Sequence, residues 1–283
     1  MYNKNHCNST SIHVIFTMRN KVKICSLVLC FILFFQLSVH SSESPYALST
    51  KKDLGLAGLS LASGLSAWIA YSHLSPLTPN DIDRLDKSTI NPIDRYAVSM
   101  SSERAGQWSD ILGSACLLSP LLTLTQPKAQ KNNLQLALIY AETITLTGTI
   151  VYLTKCTVKR PRPFVFNPSA PQELKLNKSA RMSFFSGHTA LSFASAVFFS
   201  TTYSDYSSDN QWDAVIWSSA ITTASLVGYF RIRAGKHYVS DVIAGALVGS
   251  AIGYGIPALH RTSDSEKLSS DLALPLFRIS FQF

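Results

Sequence analysis

The chain is short of charge, short of paired cysteines and almost free of strand-like alternation. Asp, Glu, Lys and Arg together make 15% of its 283 residues. The formal net charge is +8, yet the basic residues neither line one helix face nor interleave with stacking aromatics, so nucleic acid is a poor partner. Five cysteines fall at positions 7, 25, 30, 116 and 156, with no metal-ligand spacing among them. Three lie in or before an apolar amino-terminal run, and Cys116 and Cys156 read as small core residues. Neither a disulfide framework nor a zinc site follows. No internal repeat is visible, and no carboxylate cluster offers to hold a metal.

What is present is apolar. The hydrophobic fraction is 46% and the mean hydropathy +0.14, high for a soluble protein and low for a transporter built of wall-to-wall apolar helices. Arg19, Lys21 and Lys23 precede the run Ile24–Val39, and Ser38, Ser41 and Ser42 lead out of it. A basic head, an apolar middle and small residues make an export signal, with Met18 as an alternative start. The competing reading is an uncleaved anchor, for which sixteen residues is short. The expected organisation is an extension and signal over 1–45, a helical domain over 46–262 and a tail over 263–283. The tail alternates over Leu274–Phe283 in the manner of an outer-membrane strand, but one strand makes no barrel, so it reads as a loose tail or a packed edge.

Six apolar stretches fill the body: Leu54–Tyr71, Ile111–Leu124, Leu134–Thr154, Thr189–Tyr203, Ala214–Phe230 and Val242–Leu259. Most lack strand alternation, so the expected class is all-α, a six-helix bundle embedded in a membrane. Gly245 and Gly249, four apart, suit close helix approach. Glu142, inside the third stretch, has to face the bundle interior or a partner. The connection Ser72–Asp110 is long and polar, carries Pro76, Pro79 and Pro92, and reads as short helices lying over the bundle. Gln126–Asn133 reads as a tight basic turn.

Three polar clusters sit at the ends of these stretches. Lys155 is followed after six residues by Arg162–Pro163; fixed cations suit phosphate oxygens, and a guanidinium adds a planar fork. The plain alternative is a solvated basic loop. Ser186–Gly187–His188 opens the fourth stretch. Ser186 is a natural N-cap, but a helix start also presents free N–H groups to an anion. Arg231, His237 and Asp241 form the third cluster. His237 and Asp241, four apart, share a face if a helix begins there, and a carboxylate on one imidazole nitrogen leaves the other free as a nucleophile. The plain alternative is a helix-start ion pair.

Together the clusters resemble the signature of the type 2 phosphatidic acid phosphatase and vanadium haloperoxidase superfamily, over about residues 134–258. Lys155, Arg162 and Pro163 match its first block in full. Ser186, Gly187 and His188 match the second, with Phe185 where the family has proline. Arg231, His237 and Asp241 match the third, with Phe230 where the family has serine. The resemblance implies a phosphatase in which His237 attacks phosphorus, Asp241 orients it and His188 serves as general acid and then base. It further implies that Lys155, Arg162, Ser186, Gly187 and Arg231 hold the phosphate oxygens, with no metal and no cofactor. Implied partners are a phosphorylated lipid and the surrounding membrane lipids; the oligomeric state is left open.

Location turns on two opposed signals. A cleaved signal followed by six full spans puts the clusters in the cytoplasm, whereas Lys51, Lys52, Lys128 and Lys131 favour the reverse. The expectation is a site facing the periplasm, in the membrane or in a soluble periplasmic bundle. Alternatives to a lipid phosphatase are a soluble acid phosphatase, a vanadate-dependent haloperoxidase and a non-catalytic membrane protein.

Overall fold

Ten α-helices follow one another in the computed structural model, which describes residues 44–207 and 210–262. They are α1 (Thr50–Ser72), α2 (Pro79–Asp83), α3 (Pro92–Val98), α4 (Glu103–Leu118), α5 (Pro127–Lys131), α6 (Asn133–Val158), α7 (Gln172–Lys175), α8 (Gly187–Tyr206), α9 (Asp213–Arg233) and α10 (Val239–His260). Six are long and correspond to the six apolar stretches. The export signal and the alternating tail lie outside the described residues.

Two boundaries differ from expectation. α4 starts at Glu103, not near Ile111. The Ser102 hydroxyl accepts from the Ala105 N–H at 3.2 Å and caps the helix. Its buried face then runs through Ala105, Gly106, Ser109 and Gly113. Those residues are small rather than apolar, so hydropathy conceals the first two turns. Pro127 likewise sets the first position of α5 inside the stretch read as a basic turn.

α8 runs through the interior. Ala190, Ala194, Ala196, Val197, Phe198 and Phe199 are all buried. Its polar residues are made safe locally, as when Thr202 donates to the Phe198 carbonyl at 2.9 Å and Ser195 to that of Leu191 at 2.9 Å. Gly245, Gly249 and Gly253 of α10 lie against it. A Cβ on these three would run into the backbone of Ser186, Ala190 and Ala194 respectively. The glycine stripe therefore extends one step beyond the expected pair and lets the two backbones nearly touch.

The outward faces are apolar. Leu54, Leu59, Leu61, Leu65 and Trp68 on α1 are about half exposed, as are Ile111 and Leu118 on α4, and Leu247 on α10 is more exposed still. By length and composition α1, the segment containing α6, and α10 are able to cross a membrane. A bundle that turns leucines outward on several helices is membrane-associated.

The connection between α1 and α4 covers one end of the bundle and is tied to it. The Ser102 N–H donates to the Arg233 carbonyl at 3.1 Å. At Gly235, φ is +65°, and the Met100 carbonyl occupies the space a Cβ would need. Only glycine fits this turn between α9 and α10.

Candidate active site

That covered end holds all three clusters. α6 stops at Lys159, a left-handed cap with φ 55°, and the chain then turns through Arg160–Pro163. Backbone bonds hold the turn: Arg162 N–H to the Ala180 carbonyl at 2.8 Å, and Ser183 N–H to that of Arg160 at 3.0 Å. The Ser186 N–H donates to the Asp241 carbonyl at 3.0 Å, so the starts of α8 and α10 are stitched together.

Within this frame Lys155, Ser186, Arg231, His237 and Asp241 are buried. The Lys155 ammonium donates to the carbonyls of Met182 at 2.8 Å and Ser183 at 3.4 Å, leaving one of its three protons. A Cβ at Gly187 would stand 3.0 Å from Val151 and 3.6 Å from the Lys155 Cε, so glycine lets the start of α8 close on Lys155. The Arg162 Nε, the Arg231 Nε and the His237 Nδ1 are buried without a hydrogen-bond partner. Orphaned donors of this kind are rare in a settled interior.

Asp241 sits differently from expectation, whereas Ser186 takes the capping place its position suggested. Asp241 is not hydrogen-bonded to His237: its Oδ2 lies 3.6 Å from Nδ1. That oxygen is taken by the Ser183 hydroxyl at 2.5 Å and the Tyr238 N–H at 3.0 Å, while Oδ1 accepts from Arg160 at 2.6 Å. Ser186 is the N-cap of α8, its hydroxyl accepting from Thr189 Oγ1 at 2.8 Å and, weakly, from the Thr189 N–H at 3.4 Å.

The electrostatics are one-sided. His237 is fully buried, and desolvation holds its pKa well below the ordinary imidazole value; Lys155, Arg162, Arg231 and His188 push the same way. His188, nearly half exposed, is also lowered, first by burial and then by Arg231, with Lys236 and Arg162 adding and Asp110 opposing. Residues drawn from three distant stretches thus act on one another. Burial and the neighbouring guanidinium groups both favour the neutral form of each imidazole.

Sequence reasoning missed the carboxylates and the arginine that steady this array. Asp110 of α4 reaches His188 Nε2 at 3.1 Å and Arg231 Nη1 at 3.2 Å through one oxygen. Arg160, between Lys155 and Arg162 of the first cluster, clamps Asp241 and Asp94 and stacks 3.9 Å over the Tyr238 ring. Asp94, on α3, also accepts from the Ser240 N–H at 2.9 Å and its hydroxyl at 2.6 Å. No local spacing signals these contacts. A carboxylate just before an apolar stretch, as at Asp110, was the one available hint.

Residues 136–264 match the PAP2 superfamily. That stretch is a little under half of the chain. It contains every residue of the three clusters, whereas Asp94 and Asp110 precede it. Over 196 residues the chain is 28% identical to a probable diacylglycerol pyrophosphate phosphatase 1 of Schizosaccharomyces pombe, spanning 57% of this chain and 70% of that protein. Over 80 residues it is 39% identical to a lipid A 1-phosphatase of Porphyromonas gingivalis, covering 28% of this chain and only 17% of the relative. A crystal structure of a transmembrane PAP2-type phosphatidylglycerolphosphate phosphatase from Bacillus subtilis aligns with 77% of the chain and 98% of its own, at 16% identity and a TM-score of 0.43.

Proposed function

We propose that this protein is a PAP2 phosphatase that removes phosphate from a lipid monoester or pyrophosphate through a phosphohistidine, without a metal at the reacting phosphorus. One observation carries the reading: a fully buried, neutral imidazole, His237, stands in the field of Lys155, Arg162, Arg231 and His188. An anion entering that field relieves several cations at once and meets the orphaned N–H groups of both arginines.

The neutral His237 keeps a lone pair on Nε2 if Nδ1, turned toward Asp241, holds the proton. Nε2 forms the bond to phosphorus as the ester oxygen leaves, and His188 gives that oxygen its proton. Binding of the anionic substrate offsets the cations that lower the His188 pKa and so loads it as an acid. His188 then takes a proton from water, the water oxygen bonds to phosphorus and the P–N bond breaks. Charge on the equatorial oxygens is met by Lys155, Arg162 and Arg231, with Ser186 and the Gly187 N–H at the helix start. Asp241 acts on His237 electrostatically at 3.6 Å and holds the α10 start in register.

The relatives' lipid substrates and the outward leucines favour a lipid phosphate over a soluble ester, and we assign the site to the periplasmic side. His237→Ala should abolish both phosphate release and a trapped phosphoenzyme while the protein keeps its helical content. Full turnover in that variant would refute the assignment. Phosphate release from a panel of purified lipid phosphates identifies the substrate.

A further inference from the structure

The opposite end of the bundle contains a second polar cluster that the chemistry above does not use. Asp53 in the first turn of α1, Glu142 in α6 and His260 at the end of α10 offer three ligand atoms, all within 4.8 Å of one another. Their relative exposures are 2%, 5% and 0%. Glu142 is thirteen residues from Lys155 along α6, a separation of about 20 Å. Glu142 alone stands out in the sequence, because the three members come from three separate helices.

Hydrogen bonding constrains what the cluster can be. The His260 Nδ1 lies 2.9 Å from the Ile256 carbonyl, which can only accept, so Nδ1 carries a proton. In the neutral ring Nε2 is then a lone pair. It faces the Asp53 Oδ1 at 2.8 Å and the Glu142 Oε2 at 3.4 Å, both acceptors as well. Neither Glu142 oxygen has any hydrogen-bond partner. Three lone-pair donors converge in a buried place, and a positive species has to lie among them.

We propose that Asp53, Glu142 and His260 bind a divalent transition ion of the zinc class. An imidazole nitrogen with two carboxylate oxygens is a common zinc donor set, and a water completes four-coordination. Bond lengths near 2.0–2.1 Å place tetrahedral ligand atoms roughly 3.3 Å apart, close to the Glu142–His260 spacing. The Nδ1–H to carbonyl bond is the outer contact that fixes a metal-bound histidine's tautomer. Three protein ligands are too few for calcium, and magnesium rarely takes imidazole. Bound there, the ion pins the start of α1 and the end of α10 to the body of α6, far from the phosphate site.

The full-length protein, purified in detergent and stripped with chelator, should take up about one equivalent of Zn2+ and gain at least about 5 °C in Tm. Co2+ should give the visible bands of a tetrahedral site. Glu142→Gln and His260→Gln should each lose the Zn2+-dependent shift and the bands. The initial rate of phosphate release well below Tm should not change on chelation, which separates this outcome from failure of the phosphatase reading. If wild type binds no stoichiometric Zn2+ or Co2+, or if Glu142→Gln melts at or above wild type with no metal effect, the cluster holds a proton shared with an imidazolium and the proposal falls.

Discussion

At the residue scale, the decisive quantity is the charge state of His237. Its folded pKa lies well below the ordinary imidazole value, while in the unfolded chain it returns to about 6.5. As pH falls below that value the unfolded state takes up a proton the folded state refuses. The stability this residue contributes is therefore complete above about pH 6.5 and is lost on acidification toward the folded pKa. Between pH 7 and 5 the wild type should lose more in Tm than His237→Asn does, read by thermal unfolding in detergent. Parallel curves would mean the imidazole is not held neutral. The same depression keeps the His237 imidazole unprotonated well into the acid range.

Legibility divides cleanly at this scale. The eight motif residues could be found because each block is local: His237 and Asp241 are four apart, Ser186 to His188 contiguous. Their supports could not, since Arg160 meets Asp94 across 66 positions and Arg231 meets Asp110 across 121. Such pairs depend on tertiary folding, which no window along the chain contains. Even within a block the chemistry was only partly visible. The i, i+4 spacing puts Asp241 beside His237, but the Ser183 hydroxyl claims the oxygen that would have bonded it.

At the element scale, α8 and α10 set how closely the site can be assembled. Their contact is backbone on backbone at Gly245, Gly249 and Gly253, and the α8 start carries Ser186–His188 while the α10 start carries Asp241. Gly249→Ala forces the helices apart, at a cost of about 1–3 kcal/mol. Because the starts of both helices are joined by the Ser186–Asp241 backbone bond, phosphate release should fall as well. Gly255→Ala, where a Cβ meets nothing within 4 Å, is the matched control and should leave both unchanged. Equal stability of the two variants would show that the stripe does not set the packing. The stripe's first two members were readable from their spacing. The start of α4 was not, because a helix that buries alanine, glycine and serine leaves no hydropathy signal.

At the scale of the whole molecule, the exposed leucines of α1, α4 and α10 require an apolar surrounding. After detergent-free lysis the protein should sediment with membranes and resist alkaline or high-salt extraction. Recovery in the aqueous fraction would instead favour a soluble phosphatase. Hydropathy predicted this bundle well, since six long apolar stretches became six long helices.

The roof over the site has a consequence for where one functional unit begins. The PAP2 match starts at residue 136, but the counter-charges for Arg160 and Arg231 come from Asp94 and Asp110. A fragment trimmed to the matching stretch would keep every motif and still leave two guanidinium groups without these carboxylates. Domain transplants between relatives must therefore carry the region from about residue 92 onward, or catalysis will be lost with the signature intact.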